Sequence, residues 1–139
     1  MFDLIAKRKW EKIRSILKTP KASTWCKLRD NTGLTILGTA VGFRAPVEVI
    51  RDMLKVDPSL ARVKDDYEST VLHLACLNGE SFDVIYLLVS RYPDLVTELD
   101  CDKRCPLHHA VEFASISGDE RCHYIDVIRL LSSRAPEMV

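Results

Sequence analysis

DDYESTVLHLACLNGESFDVIYLLVSRYPDLVTELD, residues Asp65 to Asp100, is the stretch on which the rest of the chain is a set of variations. Moved back by 35 residues, it falls on Asp30–Asp65 without a gap. Thr70 then lies over Thr35, Leu72 over Leu37, Ala75 over Ala40, Val84-Ile85 over Val49-Ile50 and Pro93-Asp94-Leu95 over Pro58-Ser59-Leu60. Self-similarity at a fixed period of roughly 20–50 residues marks a repeat array, whose units bury their apolar faces against their neighbours.

Local signals fill in the unit. Thr70 can cap a helix running through Val71–Cys76, and Asn78-Gly79 is a helix-stop signal. Ser81 can cap a second helix, whose Phe82, Val84, Ile85, Leu87, Leu88 and Val89 form a wide apolar stripe. Pro93 ends it, because proline lacks an N–H and disfavours helical geometry at Tyr92. The pattern predicts helix pairs in a row and no sheet.

Thr70-Val71-Leu72-His73-Leu74-Ala75, followed by Asn78-Gly79 and then Asp83-Val84-Ile85 with Leu87-Leu88, resembles the ankyrin repeat and its T-P-L-H-x-A motif. Val71 stands in place of the family's proline, and Tyr92-Pro93-Asp94-Leu95 replaces a shorter connection. The resemblance implies an all-α solenoid of stacked helix-turn-helix units joined by hairpin loops. It divides one domain, 1–139, into a capping repeat at 1–29, repeats at 30–64 and 65–99, and a third at 100–139 with an insertion near 114–122. It also implies a scaffold that binds another protein through hairpin tips and the concave face of the first helices.

Composition sets the bounds. At 139 residues, 47% hydrophobic and with zero net charge, the chain has enough apolar content for a core and no bulk attraction to nucleic acid. It contains no apolar run long enough to span a bilayer, and Met1-Phe2-Asp3 opens no signal peptide. The five cysteines form no disulfide framework, which places the chain in a reducing intracellular compartment such as the cytoplasm. The neutral total hides a split. Residues 1–29 hold nine basic residues against Asp3 and Glu11, a net of +7, which leaves −7 for the remainder.

In chain order, Phe2–Ala6 and Trp10–Leu17 read as two short helices, the second ended by Pro20, with the basic residues supplying the polar outer face of a terminal unit. The rival reading is a basic amphipathic helix that binds membrane or nucleic acid. In the first complete repeat, Asn31-Thr32-Gly33 is a hairpin-tip signal, and Gly38 replaces the histidine, which predicts a softer unit. The third repeat keeps Pro106, Leu107, His108 and Ala110, then slips by eight residues around Ser115–Cys122 before Val127-Ile128-Arg129-Leu130-Leu131 returns. That insertion is read as a loop between the two helices, either functional or merely tolerated. Leu130, Leu131 and Met138 are expected to leave an apolar end, suited to further ankyrin repeats or to self-association.

One cluster has the composition of a chemical site: Cys101, Cys105, His108, His109, Cys122 and His123. Thiolate and imidazole suit zinc, so a metal- or redox-responsive module is the alternative function, although the spacing fits no familiar finger. By the resemblance, His108 instead hydrogen-bonds at its helix start and ties neighbouring hairpins, and His109 falls at the Leu74 position. No Gly-rich phosphate loop or oxyanion-hole motif is present, and neither catalytic residues nor a cofactor are assigned. The partner-binding residues implied by the resemblance are Asn31, Thr32, Leu34 and Phe43 in the first repeat, and Asp66, Tyr67, Ser69, Leu77 and Asn78 in the second. In the third they are Cys101, Asp102, Arg104, Glu112 and Phe113.

Overall fold

The computed structural model describes residues 1–116 and 121–134, with the backbone alone at 121–123. Within these residues the chain is helical and has no strand. Helices α1 (Phe2–Ala6), α4 (Ile36–Gly42), α6 (Val71–Leu77) and α8 (Pro106–Ile116) pack side by side in one row. Helices α2 (Trp10–Leu17), α5 (Val47–Val56), α7 (Phe82–Arg91) and α9 (Arg121–Arg134) form a second row against it. Each helix of the first row pairs with the helix that follows it in the second, and the apolar stripes of both rows meet in one continuous core.

The helix starts follow from local chemistry. Thr35 Oγ1 accepts the Gly38 N–H at 3.2 Å, and Thr70 Oγ1 accepts that of His73 at 3.4 Å. The His73 ring returns the favour by accepting the Thr70 N–H at Nδ1 (3.2 Å), which completes a reciprocal cap. Ser81 caps α7 through the Val84 N–H. After α5 and α7 the chain makes a 3-10 helix at Pro58–Arg62 and at Pro93–Thr97, with proline at the start of each. The sequence marked these segments only as connections. Their Leu60, Ala61, Leu95 and Val96 are buried, so they are part of the core.

Helix exits repeat as well. Arg44 and Gly79, 35 residues apart, both adopt left-handed φ, at 57° and 69°. The following N–H groups turn back onto the helix, Ala45 to Ala40 C=O at 3.0 Å and Glu80 to Ala75 C=O at 2.9 Å. The N-terminal unit makes the same turn with Arg8 at φ 56° and Lys9 N–H on Leu4 C=O at 3.0 Å. It also contains a third short helix, α3 (Ala22–Cys26), which the sequence reading lacked.

Two expectations about the third repeat need correction. The residues read as an inserted loop mostly lengthen the helices: α8 has 11 residues where α6 has 7, and α9 has 14 where α7 has 10. Residues 117–120 lie outside the described part. Leu131 does not contribute to an apolar end, because it is fully buried in the core, and Leu130 packs half-buried against it. Met138 lies outside the described residues. Val111, however, is 49% exposed, whereas Val41 and Cys76 at the same repeat position are fully buried.

Candidate partner-binding face

Three hairpins precede α4, α6 and α8, and each is built on its leading aspartate. The carboxylate Oδ1 of Asp30, Asp65 and Asp100 accepts two backbone N–H groups ahead of it, for example Tyr67 at 2.9 Å and Ser69 at 3.0 Å on Asp65. The same aspartates close the loop through their own N–H groups, onto Leu34, Ser69 and Arg104 C=O at 2.9, 3.1 and 3.0 Å. The tips turn at Gly33, Glu68 and Lys103, with φ of 81°, 60° and 60°. Neighbouring hairpins then join edge to edge, Asp66 N–H to Thr32 C=O and Cys101 N–H to Tyr67 C=O, each at 3.0 Å.

This geometry sorts the implied binding residues. Thr32, Leu34, Ser69 and Arg104 are half-buried and spend their backbone groups on the hairpins, and the Arg104 guanidinium also pairs with Glu112 at 2.6 Å. Asn78 closes α6 through its side-chain amide on Leu74 C=O at 2.8 Å, while its C=O accepts Arg44 Nε at 2.8 Å. Phe113 is not a free side chain. Its ring lies 4.7 Å from that of Tyr124 and has the Arg44 guanidinium 5.9 Å away, and it presses against Gly79 so closely that a Cβ there would fall 2.2 Å from the ring. Asn31, Phe43, Asp66, Tyr67, Leu77, Cys101, Asp102 and Glu112 remain exposed, Tyr67 at 60% and Leu77 at 50%. Phe82, which helical spacing places on the apolar stripe of α7, is instead partly exposed and stacks on exposed Tyr86 at 5.8 Å.

The cysteine and histidine residues of the third repeat do not gather into one cluster, although Cys105 Sγ lies 3.4 Å from His108 Nδ1. Cys105 is fully buried and its N–H donates to His108 Nδ1 at 3.0 Å. His108 is exposed and makes no tie to a neighbouring hairpin among the described residues; His73 makes that tie, through Nε2 to Arg104 C=O at 2.9 Å. His109 is buried, with Nε2 2.9 Å from Asp100 Oδ2 and its ring edge-on to that of His73 at 5.6 Å. Burial pushes His73 below the ordinary histidine range, which matches a neutral ring accepting at Nδ1 and donating at Nε2. Among the described residues no three Cys, His, Asp or Glu side chains converge on one point. The side chains of Cys122 and His123 lie outside the described part.

One residue that sequence reasoning passed over is Glu80. It occupies the position of Ala45 in the preceding repeat, immediately after the left-handed turn. Its Oε1 accepts the Ser81 N–H at 2.9 Å, and its buried Oε2 has no hydrogen-bond partner among the described residues. Burial pushes this carboxyl up to about 7. The repeat alignment shows only that a charged residue stands where the preceding repeat has alanine; that both are buried is decided by packing.

Two rows of stacked helices with joined hairpins define a helical solenoid. A family model described as ankyrin repeats (3 copies) matches residues 37–138, and the chain belongs to the ankyrin-repeat family. A search of curated proteins found no match. Ankyrin repeats generally serve as protein–protein interaction modules and are typically non-enzymatic. No helix among the described residues is long and apolar enough to cross a membrane.

Proposed function

We propose that this protein is a binding scaffold which holds a partner protein on the hairpin tips and the ends of its first-row helices. The exposure of Tyr67 and Leu77, at the tip of the second hairpin and the end of α6, carries this reading. Large apolar side chains exposed on an ordered scaffold are typical anchors of interfaces, and aromatic residues lead among binding hot spots. Phe43, exposed at the end of α4, adds a third anchor, and Asn31, Asp66 and Asp102 supply a polar rim. Phe113 is left out, because its packing role accounts for it. Cys26, Cys76, Cys101 and Cys105 are unpaired, which suits a reducing intracellular setting.

The test is capture of partner proteins from a native extract, read by mass spectrometry and repeated with the purified partner. Tyr67→Ala combined with Leu77→Ala should weaken binding by about 2 kcal/mol or more and leave the melting temperature nearly unchanged. A double variant that binds the purified partner normally would remove the proposal.

A further inference from the structure

The opposite end of the stack carries a surface of a different kind. Of the nine basic side chains in residues 1–29, Lys7 pairs with Asp3 at 3.2 Å and Arg14 with Asp52 of α5 at 2.8 Å. The other seven are exposed, and none makes an ion pair among the described residues. Between the end of α2 and α3 lies a groove of about 470 Å³, walled by Ile16, Pro20 and Trp25 and edged by Thr19 and Lys21. Trp25 is half-buried here, whereas Leu60 and Leu95, at the same position of later repeats, are wholly buried.

Helical spacing brings charge and groove together. Lys12 and Ile16, four residues apart, share one flank of α2, and Lys9 stands just before its start. Arg14, which reaches α5, marks a different flank. Lys21 stands at the start of α3 and lines the groove itself. An apolar recess is therefore bordered, among the described residues, by cations without an ion pair.

We propose that this end face docks an acidic segment of a partner protein, with one apolar side chain seated between Ile16 and Trp25 and flanking carboxylates over Lys12 and Lys21. Charge complementarity selects an acidic ligand, since among the described residues no carboxylate pairs with these lysines. The shape of the recess selects a peptide over other polyanions. A phosphate backbone gains nothing from an apolar groove, and the half-buried Ile16 and Trp25 do not protrude as a bilayer-inserting edge would. This surface is separate from the hairpin face, so either can fail without the other.

Fluorescence anisotropy with the full chain tests this using two labelled glutamate-rich peptides, identical except for a central leucine or serine. A DNA duplex and vesicles containing phosphatidylserine serve as competing probes. The leucine peptide should bind at least about tenfold more tightly than the serine peptide, the expected effect of burying one apolar side chain. Lys12→Glu with Lys21→Glu should abolish that binding while leaving the helical signal and melting temperature unchanged. Equal affinity for the two peptides, or no binding of either, overturns the proposal. Preference for the duplex or the vesicles also overturns it, as does a dimer in sedimentation that the double lysine variant dissolves.

Discussion

Glu80 shows how one side chain can work against the fold around it. With its carboxyl pushed up to about 7 by burial, it is neutral in the folded state at mildly acidic pH and ionised above neutrality. A folded pKa above the ordinary 4.5 means that the folded state binds the extra proton, so this residue's contribution is intact below 4.5 and is lost as pH rises through about 7. Glu80→Gln keeps the shape and the acceptor for the Ser81 N–H but cannot ionise. The variant should gain little at pH 5 and on the order of 2 kcal/mol at pH 8, measured by urea unfolding. An equal gain at both values would show that ionisation is not the cause. Gly79, one residue earlier, is constrained twice, by its left-handed φ of 69° and by the Phe113 ring against its Cα. Gly79→Ala should cost about 2 kcal/mol or more. Part of that loss should vanish in a Phe113→Ala background, and strictly additive costs would show that the ring contact is irrelevant.

Among the elements, the hairpin and the helix that follows it form one hydrogen-bonded unit. His73 is its centre, joined to Thr70 at the start of α6 and to Arg104 C=O of the next hairpin. His108 has the same local bond, to the Cys105 N–H, but it is exposed and, among the described residues, has no second bond to another hairpin. His73→Ala should therefore cost about 2–3 kcal/mol, since it strands a buried donor and acceptor, whereas His108→Ala should cost less than about 1 kcal/mol. Thermal unfolding of the two variants checks this, and equal losses would mean that the inter-repeat bond contributes nothing. The third repeat's longer helices give α9 a route of its own into the second repeat. Tyr124 donates its hydroxyl to Ala75 and Cys76 C=O at 3.1 and 3.0 Å, sealing the exit of α6.

At the scale of the whole molecule, stability should be graded along the stack, because each repeat is held mainly by its neighbours. The unit containing α4 has Gly38 where α6 has His73, so it lacks both the reciprocal cap and the tie to the following hairpin. Glycine inside a helix also costs about 1 kcal/mol relative to alanine. Amides of α4 should exchange with solvent through openings of lower free energy than those of α6, as native-state hydrogen exchange can measure. Equal protection would show that the stack opens only as a whole. The charge split adds a second gradient, with +7 on the first 29 residues and the acidic excess beyond them. Exposed pairs between repeats, Arg62 with Asp94 and Lys64 with Glu98, add little to stability by comparison with the shared core.

What the sequence determined alone was the repeating plan. Thr35, Thr70 and Ser81 at helix starts, Gly79 at a helix exit, Pro58 and Pro93 after the second helices, and apolar residues at helical spacing each act within a few residues. A 35-residue period then copies those local decisions along the chain. The positions of the proposed binding face could be named for the same reason, since hairpin tips and helix ends are positions in a repeat. Which of those positions are open was decided by tertiary structure. Phe43 and Leu77 remain at the surface while Phe113 is drawn onto Gly79 and Tyr124, a contact between residues 34 and 11 positions apart. The lengthening of α8 and α9 in the third repeat was likewise not legible, because helical spacing alone does not fix where a helix stops. Glu80 and the Asp100–His109 pair are buried for a reason no local pattern carries: burial is set by what the adjacent repeat places over a side chain.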